Sequence, residues 1–263
     1  MKKILYLVFI MVLCFAFAGC GNNQNNSNNG NNSDGLKNGT VVYFNPEINS
    51  KCTEIDYNNN IGASDTENTS GCMKWYLFND SKSATTLNLL LDHNTTATVA
   101  WNESKTNNEE PVTLNAKLAS DTSNWHSNIK NTVRAITADE VAKITGHPTF
   151  NSKTTSWDYW FLFDTNEKPD GIRDNDCKLS ECKYGWLYDR VHINCEKSGC
   201  LNNATGPSKN QFGYWTSSNA VNANQLYAWF VGGSGGYDRM SSNPAGPYSG
   251  YNIGARPVIT VSK

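Results

Sequence analysis

The sequence lacks an apolar run long enough to cross a bilayer. Its most apolar stretch, residues 4–18, is shorter than the roughly 20 residues that a membrane-spanning helix needs. Lys2 and Lys3 precede this stretch, and small residues follow it. This order is typical of a secretory signal, which is not part of the fold. The sequence therefore predicts export.

The chain also lacks a basic run and a strong imbalance of charge. It carries 22 Lys and Arg against 24 Asp and Glu, for a net charge of -2. Proteins that bind nucleic acid through its phosphates have clustered Lys and Arg. We therefore expect no nucleic-acid partner.

Two common catalytic motifs are absent as well. The chain has no His-Glu-x-x-His and no phosphate-binding loop motif. Its four histidines are scattered. Asp92 and His93 follow a predicted strand, where a carboxylate could orient an imidazole, but we favour a structural role for this histidine. We expect the protein not to be an enzyme.

The predicted signal ends in Phe17-Ala18-Gly19-Cys20. Small residues before a cysteine resemble the lipobox of bacterial lipoproteins. The resemblance implies cleavage before Cys20 and lipid on its sulfur, with acyl chains such as palmitate anchoring the protein to the extracytoplasmic face of the cell membrane. The alternative is an ordinary secretory signal with a cysteine there by chance.

Composition divides the rest of the chain. Residues 1–19 are the predicted signal peptide. Residues 20–38 are rich in Asn, Ser and Gly, cannot bury enough apolar surface to fold, and are interpreted as a flexible tether. Residues 39–263 have the length and aromatic content of one domain with a sizeable core.

Six cysteines remain after Cys14 and Cys20 are assigned to the signal and the lipid. An even number outside the membrane indicates disulfides, and local spacing favours Cys52 with Cys72, Cys177 with Cys182 and Cys195 with Cys200. Zinc is the alternative for the last two pairs, because each has four intervening residues.

Alternating and β-branched residues predict short antiparallel strands. Those in the first two thirds of the chain cover residues 40–44, 73–78, 87–91, 97–101, 157–163 and 184–188. Residues 112–118 are a helix candidate. A better one is 138–145, where Thr137 and Glu140 form a capping box and Gly146 can end the helix.

The C-terminal part is predicted to hold three strands and one long loop. The strands cover residues 212–218, 226–231 and 254–261, and the loop covers 232–251. Residues 227–231 are apolar on both faces, which predicts a central strand. A rigid pair of strands carrying a polar, Tyr-rich loop is typical of a binding site.

Several of these stretches resemble a known fold. Residues 134–141 resemble the helix start of formylglycine-generating-enzyme-like domains, residues 214–218 resemble their Tyr-Trp-Ser-Ser strand, and residues 254–258 resemble their terminal Gly-Phe-Arg strand. Residues 39–263 also look like a paralogous group of bacterial surface proteins of unknown function. The resemblance implies an α+β, C-type-lectin-like domain with one or two helices, whose first and last strands lie close together. No residue maps onto the catalytic cysteine pair of that enzyme.

Two surfaces are candidates for ligands. Calcium is the candidate ion for an acidic run, since it prefers several oxygen ligands on a loop turned by Gly; these residues are Asp164, Asn166, Asp170, Asp174 and Asp176. A solvated acidic loop is the favoured alternative. Aromatic, amide and charged side chains form the second surface: Asn219, Asn222, Asn224, Tyr237, Asp238, Arg239, Tyr248 and Tyr251.

Together these features predict a lipid-anchored binding module for a surface glycan or protein. The alternative is a structural envelope or pilus-associated protein without a small ligand.

Overall fold

The structure is a computed structural model. The described residues are 36–63, 67–81, 83–96, 98–103, 110–155, 161–162, 184–187, 212–220, 227–233, 238–245 and 252–263. Eleven strands and four α-helices lie in these ranges. The strands are β1 (Val41–Asn45), β2 (Ser50–Lys51), β3 (Met73–Phe78), β4 (Thr86–Leu91), β5 (Arg134–Ala135), β6 (Phe161–Leu162), β7 (Phe212–Ala220), β8 (Tyr227–Gly233), β9 (Asp238–Pro244), β10 (Asn252–Gly254) and β11 (Pro257–Ser262). The helices are α1 (Glu54–Asn59), α2 (Val112–Asp121), α3 (Ser127–Lys130) and α4 (Ala138–Ile144).

The strands form two sheets. Sheet 1 has the order β2-β1-β3-β4-β11-β5 and sheet 2 the order β10-β7-β8-β9-β6. All neighbours pair antiparallel except β10 and β7, which are parallel. The α+β class and the predominance of short antiparallel strands are confirmed. The expectation of one or two helices is wrong, because α1 and α3 add two short ones.

Sheet 1 is buried on both faces. One face packs on α3 and Trp125; its buried residues are Phe44, Met73, Trp75, Leu77, Leu87, Leu89, Leu91, Ile259 and Val261. The other face joins a cluster with α4 and sheet 2, which includes Tyr76, Phe78, Leu90, Val258, Val141, Ile144, Tyr214, Trp229 and Val231. A third cluster packs sheet 2 on α2 through Trp101, Leu114, Leu118, Trp215, Ala228 and Phe230. Side chains that alternate along each strand of sheet 1 therefore pack into two different core layers.

Helix α4 begins and ends as its sequence predicts. The side chain of Thr137 accepts a hydrogen bond from the Glu140 N–H, while the Glu140 carboxylate accepts from the Thr137 N–H, so the capping box is confirmed. Gly146 follows the helix at φ +87°, where its N–H donates to the Lys143 carbonyl and the next N–H donates to the Ala142 carbonyl. This is a Schellman ending, which favours glycine.

Strand β8 is central in sheet 2, as its apolar faces predict. It pairs with β7 on one side and β9 on the other. Trp229 and Val231 face one cluster, while Ala228 and Phe230 face the other. A Cβ atom at Gly213 of β7 would stand 2.1 Å from the Val231 carbonyl oxygen, so this close approach needs glycine.

Three local predictions are wrong. The long loop expected over residues 232–251 contains β9, which pairs with β8 along seven residues. Residues 98–101 do not form a strand, although the neighbouring Thr96 makes an isolated bridge with Ala255. Residues 185–187 form a 3-10 helix in place of the expected strand.

The first and last strands belong to the same sheet, but β3 and β4 lie between them. The resemblance to lectin-like domains implied that they would lie close together. The first and last described residues do meet at one end of sheet 1, because Asp80 accepts hydrogen bonds from the Leu36 N–H (2.7 Å) and the Lys263 ammonium (2.9 Å). Asp80 thus connects the two ends of the described chain.

These hydrogen bonds of Asp80 predict that the stability of the domain depends on pH. Burial raises the pKa of the Asp80 carboxyl, but the hydrogen bonds from Lys263 and Leu36 outweigh burial and lower the pKa below its ordinary value. A group whose pKa is lowered by folding stabilises the fold above its unfolded pKa, near 4 for Asp, and loses that contribution as pH falls through the folded pKa. In urea unfolding at a series of pH values, the stability lost by Asp80→Asn should be largest at neutral pH and should shrink below about pH 4. A loss that stays constant with pH would show that the charge of Asp80 is not involved.

Candidate functional site

The most concentrated polar cluster among the described residues follows β4 directly. The segment 92–96 consists of Asp92, His93, Asn94, Thr95 and Thr96, and all five residues are buried. Burying polar groups costs free energy unless they are hydrogen-bonded. Their partners therefore show what the segment does, and these partners come from both sheets and from α2.

Asp92 accepts a hydrogen bond from the hydroxyl of Tyr76, at 2.9 Å. Burial and the neighbouring Asp92 carboxylate raise the pKa of Tyr76. The phenol therefore stays protonated at physiological pH and acts as a donor, not as a base. The ring of Tyr76 lies 5.8 Å from the ring of Trp186 in the 3-10 helix. This contact connects sheet 1 to the segment around residue 186.

Arg256 is completely buried beside this cluster. Its guanidinium donates to the carbonyl oxygens of Leu91 (2.5 Å), Leu187 (2.7 Å) and Trp186 (3.0 Å). It also stacks over the ring of Tyr214, at 4.9 Å from the centroid. The fork of donors on Arg suits such a convergence of acceptors. Arg256 thus connects the end of β4 to the 3-10 helix.

The two threonines connect the segment to α2. Their hydroxyls both donate to one carboxylate oxygen of Asp121, at 2.9 Å from Thr95 and 2.6 Å from Thr96. The other oxygen of Asp121 pairs with Lys117, one turn earlier on the helix. The buried segment therefore fixes the C-terminal turn of α2 against the end of sheet 1.

His93 and Asn94 complete the junction. The Nε2 atom of His93 lies 2.8 Å from the Asn68 carbonyl oxygen, and the Asn94 amide donates to the Gly213 carbonyl on β7. These contacts join a loop and sheet 2 to the end of β4. The arrangement holds the fold together, and it agrees with the structural role favoured for His93.

The residues that resemble formylglycine-generating-enzyme-like domains have packing roles as well. Arg134 forms a bidentate pair with Glu140, with nitrogen–oxygen distances of 2.8 and 2.7 Å. Ser217 donates its N–H to the Ile136 carbonyl, and the Ser218 hydroxyl accepts from the Ala138 N–H. They dock the start of α4 on a bulge of β7 that lies between Trp215 and Asn219.

The predicted ligand surface divides between two ends of sheet 2. Asn219 pairs with Ala228 near the start of β8, whereas Asp238 and Arg239 pair with Gly233 and Gly232 at its end. Five residues of strand separate these positions, about 17 Å. The described members of the predicted surface therefore do not form one patch.

The end of β6 and the start of β9 lie side by side in sheet 2. Leu162 of β6 pairs with Arg239 of β9. The acidic run begins two residues after Leu162, and Tyr237 immediately precedes β9. The acidic run and the Tyr237 region were predicted as separate sites. The described residues that lie near them in the sequence, Leu162 and Arg239, are paired.

The remaining predicted site residues lie outside the described residues. They are Cys20, Asn222, Asn224, Tyr237, Tyr248, Tyr251, Asp164, Asn166, Asp170, Asp174 and Asp176, with Cys177, Cys182, Cys195 and Cys200 among the cysteines. Within the described ranges, no group of three or more His, Cys, Asp or Glu is placed to hold a metal ion. The same ranges contain no helix with the length and hydropathy of a membrane span.

The first predicted disulfide is present. Cys52 and Cys72 are bonded, with their Cα atoms 6.1 Å apart. The segment that they close contains α1, which starts with a capping box of Thr53 and Asp56. The Thr-x-x-Asp spacing is visible in the sequence and could have revealed this helix.

Sequence reasoning did not identify the buried segment 92–96 as the junction of the fold. The signal available was a strongly polar run directly after the apolar strand 87–91.

No protein-family model, curated protein or solved structure matches this chain.

Proposed function

We propose that this chain is a lipid-anchored binding module on the extracytoplasmic face of the membrane, with a C-type-lectin-like domain that binds a surface glycan or protein. The Cys52–Cys72 disulfide supports the extracytoplasmic location, because disulfides persist in oxidising compartments. Cys20, after Phe17-Ala18-Gly19, is the proposed attachment site for the lipid.

The anchor has a direct test. Mass spectrometry of the protein from the membrane fraction should show an N-terminus at Cys20 that carries diacylglycerol, and Cys20→Ser should release the protein from membranes. An N-terminus elsewhere, without lipid, would support the ordinary secretory signal.

The binding surface is proposed at the end of sheet 2 where β9 begins. The pairing of Leu162 with Arg239 supports this proposal, because the start of β9 lies beside the end of β6, and the acidic run begins two residues after Leu162 in the sequence. Sheet 2 is held rigidly by core clusters on both faces. Binding residues on a rigid scaffold lose little conformational entropy when a ligand binds.

The chemistry of this end suits a polar ligand with flat or ring-shaped parts. Arg and Asp can hydrogen-bond hydroxyl and amide groups, while Tyr237, Tyr248 and Tyr251 can stack on sugar rings or on peptide side chains. Calcium remains a candidate ion for Asp164, Asn166, Asp170, Asp174 and Asp176, since a hard cation prefers such oxygen ligands. It would supply a charged point of attachment for hydroxyl groups.

Replacing each of the three tyrosines with Ala tests this surface. If their rings serve a ligand, Tyr237→Ala, Tyr248→Ala and Tyr251→Ala should each change the free energy of unfolding by no more than about 0.5 kcal/mol. The fully buried Trp229 is the matched contrast, since Trp229→Ala should cost about 3–5 kcal/mol. Urea unfolding of the four variants checks this. Losses of the Trp229 size in all three tyrosine variants would assign the rings to the core.

A further inference from the structure

The disulfide-closed segment, residues 52–72, is attached to the rest of the fold unequally along its length. Near its C-terminal end, five consecutive residues each form a hydrogen bond with a different partner: Glu67 with Asn94, Asn68 with His93, Thr69 with Trp125, Ser70 with Asn124 and Gly71 with Glu47. These bonds are between 2.6 and 3.3 Å long. Residues 67–71 are therefore held by contacts that do not involve the disulfide.

Residues 53–63, which contain α1, are attached differently. None of the six residues of α1 is buried, and a helix of this length is not stable by itself. Its capping box and its backbone hydrogen bonds are local, so they are lost together when the helix opens. Segments with little buried apolar surface open locally at a low free energy. Helix α1 therefore depends on what fixes its two ends.

Both ends of α1 are joined to the chain around Cys72. At the start, the disulfide joins Cys52 to Cys72, and the Cys52 N–H donates to the Tyr43 carbonyl at 3.1 Å. At the end, the Asn60 amide donates to the carbonyl oxygens of Ser70 (2.9 Å) and Cys72 (3.0 Å). The disulfide is the covalent attachment, and breaking it returns to the opened segment the conformational entropy that the cross-link had removed.

We propose that the Cys52–Cys72 disulfide is a redox-sensitive switch, in which reduction by a dithiol opens residues 53–63 and leaves residues 67–72 and both sheets folded. Cys52 is half-buried and Cys72 is buried, so the dithiol attacks the Cys52 sulfur and Cys72 leaves as the thiolate. The second sulfur of the dithiol then attacks the first and releases Cys52. The products are two protonated cysteine thiols and the oxidised dithiol, so two electrons and two protons pass from the dithiol to the protein.

Opening changes the surface of β1 beside α1. In the oxidised form the ring of Tyr57 lies 5.4 Å from that of Tyr43, and burial and a hydrogen bond with Glu54 raise the pKa of Tyr43 to about 12. Tyr57 and Glu54 both belong to α1, so the open form uncovers the Tyr43 side chain. Strand β1 keeps its pairing with β3. The switch thus exposes an aromatic residue on a sheet that stays intact.

Hydrogen exchange of the full chain, followed by mass spectrometry, tests this switch. In the oxidised protein, the hydrogen-bonded amides of residues 53–63 should exchange at least about tenfold more slowly than in an unstructured chain. With dithiothreitol, or in Cys52→Ser/Cys72→Ser, they should exchange at the unstructured rate. The amides of β3 and β4 should stay at least about a hundredfold slower than that rate in every sample.

The double variant is also the matched control for the reductant. Dithiothreitol should not change the exchange of residues 53–63 in this variant, which shows that it acts through Cys52 and Cys72 and not through another cysteine. A second measurement is cleavage after Glu54 by a Glu-specific protease. This cleavage should be at least about tenfold faster in the reduced protein, whereas the bond after Glu140 in α4 should stay intact.

Two results would overturn the switch. The first is protection of residues 53–63 that persists in the wild type with dithiothreitol. The second is loss of protection in β3 and β4 together with residues 53–63, because the disulfide would then support the whole domain and not one segment. If the double variant does not fold, the reduced wild type decides by the same two criteria.

Discussion

Replacing Arg256 with Met is expected to destabilise the domain by about 3–5 kcal/mol, because buried carbonyl oxygens lose a donor at about 1–3 kcal/mol each. The side chain is completely buried, and its loss removes the hydrogen bonds to the carbonyl oxygens of Leu91 and Trp186. It also removes one of the two to the Leu187 carbonyl, which keeps the Tyr214 hydroxyl as a donor. The Tyr214 ring also loses the cation above it. Buried acceptors that lose their partners cost the free energy of desolvation. Urea unfolding followed by tryptophan fluorescence measures the loss.

Two further variants show whether geometry or charge matters. Arg256→Lys keeps the charge but not the planar fork, so most of the loss should remain. Arg134→Met removes an arginine that is half-buried and paired with Glu140, and should cost clearly less. If Arg256→Met lost no more than Arg134→Met, the junction around segment 92–96 would not be a main determinant of the fold.

Removing the Cys52–Cys72 disulfide is expected to cost about 3 kcal/mol. The two cysteines are separated by 20 positions, and closing a loop of this length restricts the unfolded chain by roughly that amount. The double variant Cys52→Ser/Cys72→Ser should therefore unfold at lower urea concentration than the oxidised protein.

The same variant distinguishes the stabilising effect of this disulfide from the effects of the other cysteines and of the neighbouring hydrogen bonds. Reductant should destabilise the wild type by at least as much, and any further effect of reductant on the double variant reports the remaining cysteines. A double variant as stable as the oxidised wild type would show that the hydrogen bonds of Glu47 and Asn60 alone hold the segment 70–72.

Sequence patterns correctly predicted the strands and helices whose residues have both the intrinsic propensity and the apolar pattern of that element. Strand β3 has the predicted bounds, because all its residues except Lys74 are apolar or aromatic and its ends are marked by turn residues. Helix α4 follows its capping box and its glycine. Strand β9 was missed, because Asp, Asn, Ser and Pro have low strand propensity and only pairing with β8 makes this segment extended.

The candidate sites depend more strongly on tertiary structure. Asn219 and Asp238 are both polar and lie near each other in the sequence. Strand β8 runs between them and places them at opposite ends of sheet 2. The role of Arg256 at segment 92–96 required the long-range contact between β4, the 3-10 helix and β11. Neither spacing nor composition contains that information.

Binding at the Arg239 end of sheet 2 is tested most directly by comparing two substitutions on one ligand. The full chain is applied to arrays of glycans and of cell-surface proteins, and the affinity for a saturable hit is measured for Tyr237→Ala/Arg239→Ser and for Asn219→Ala. We predict that the first variant binds at least about tenfold more weakly and that the second binds like the wild type. Equal binding by all three proteins, or the absence of any saturable hit, would contradict a binding site at this end and would favour a structural envelope protein.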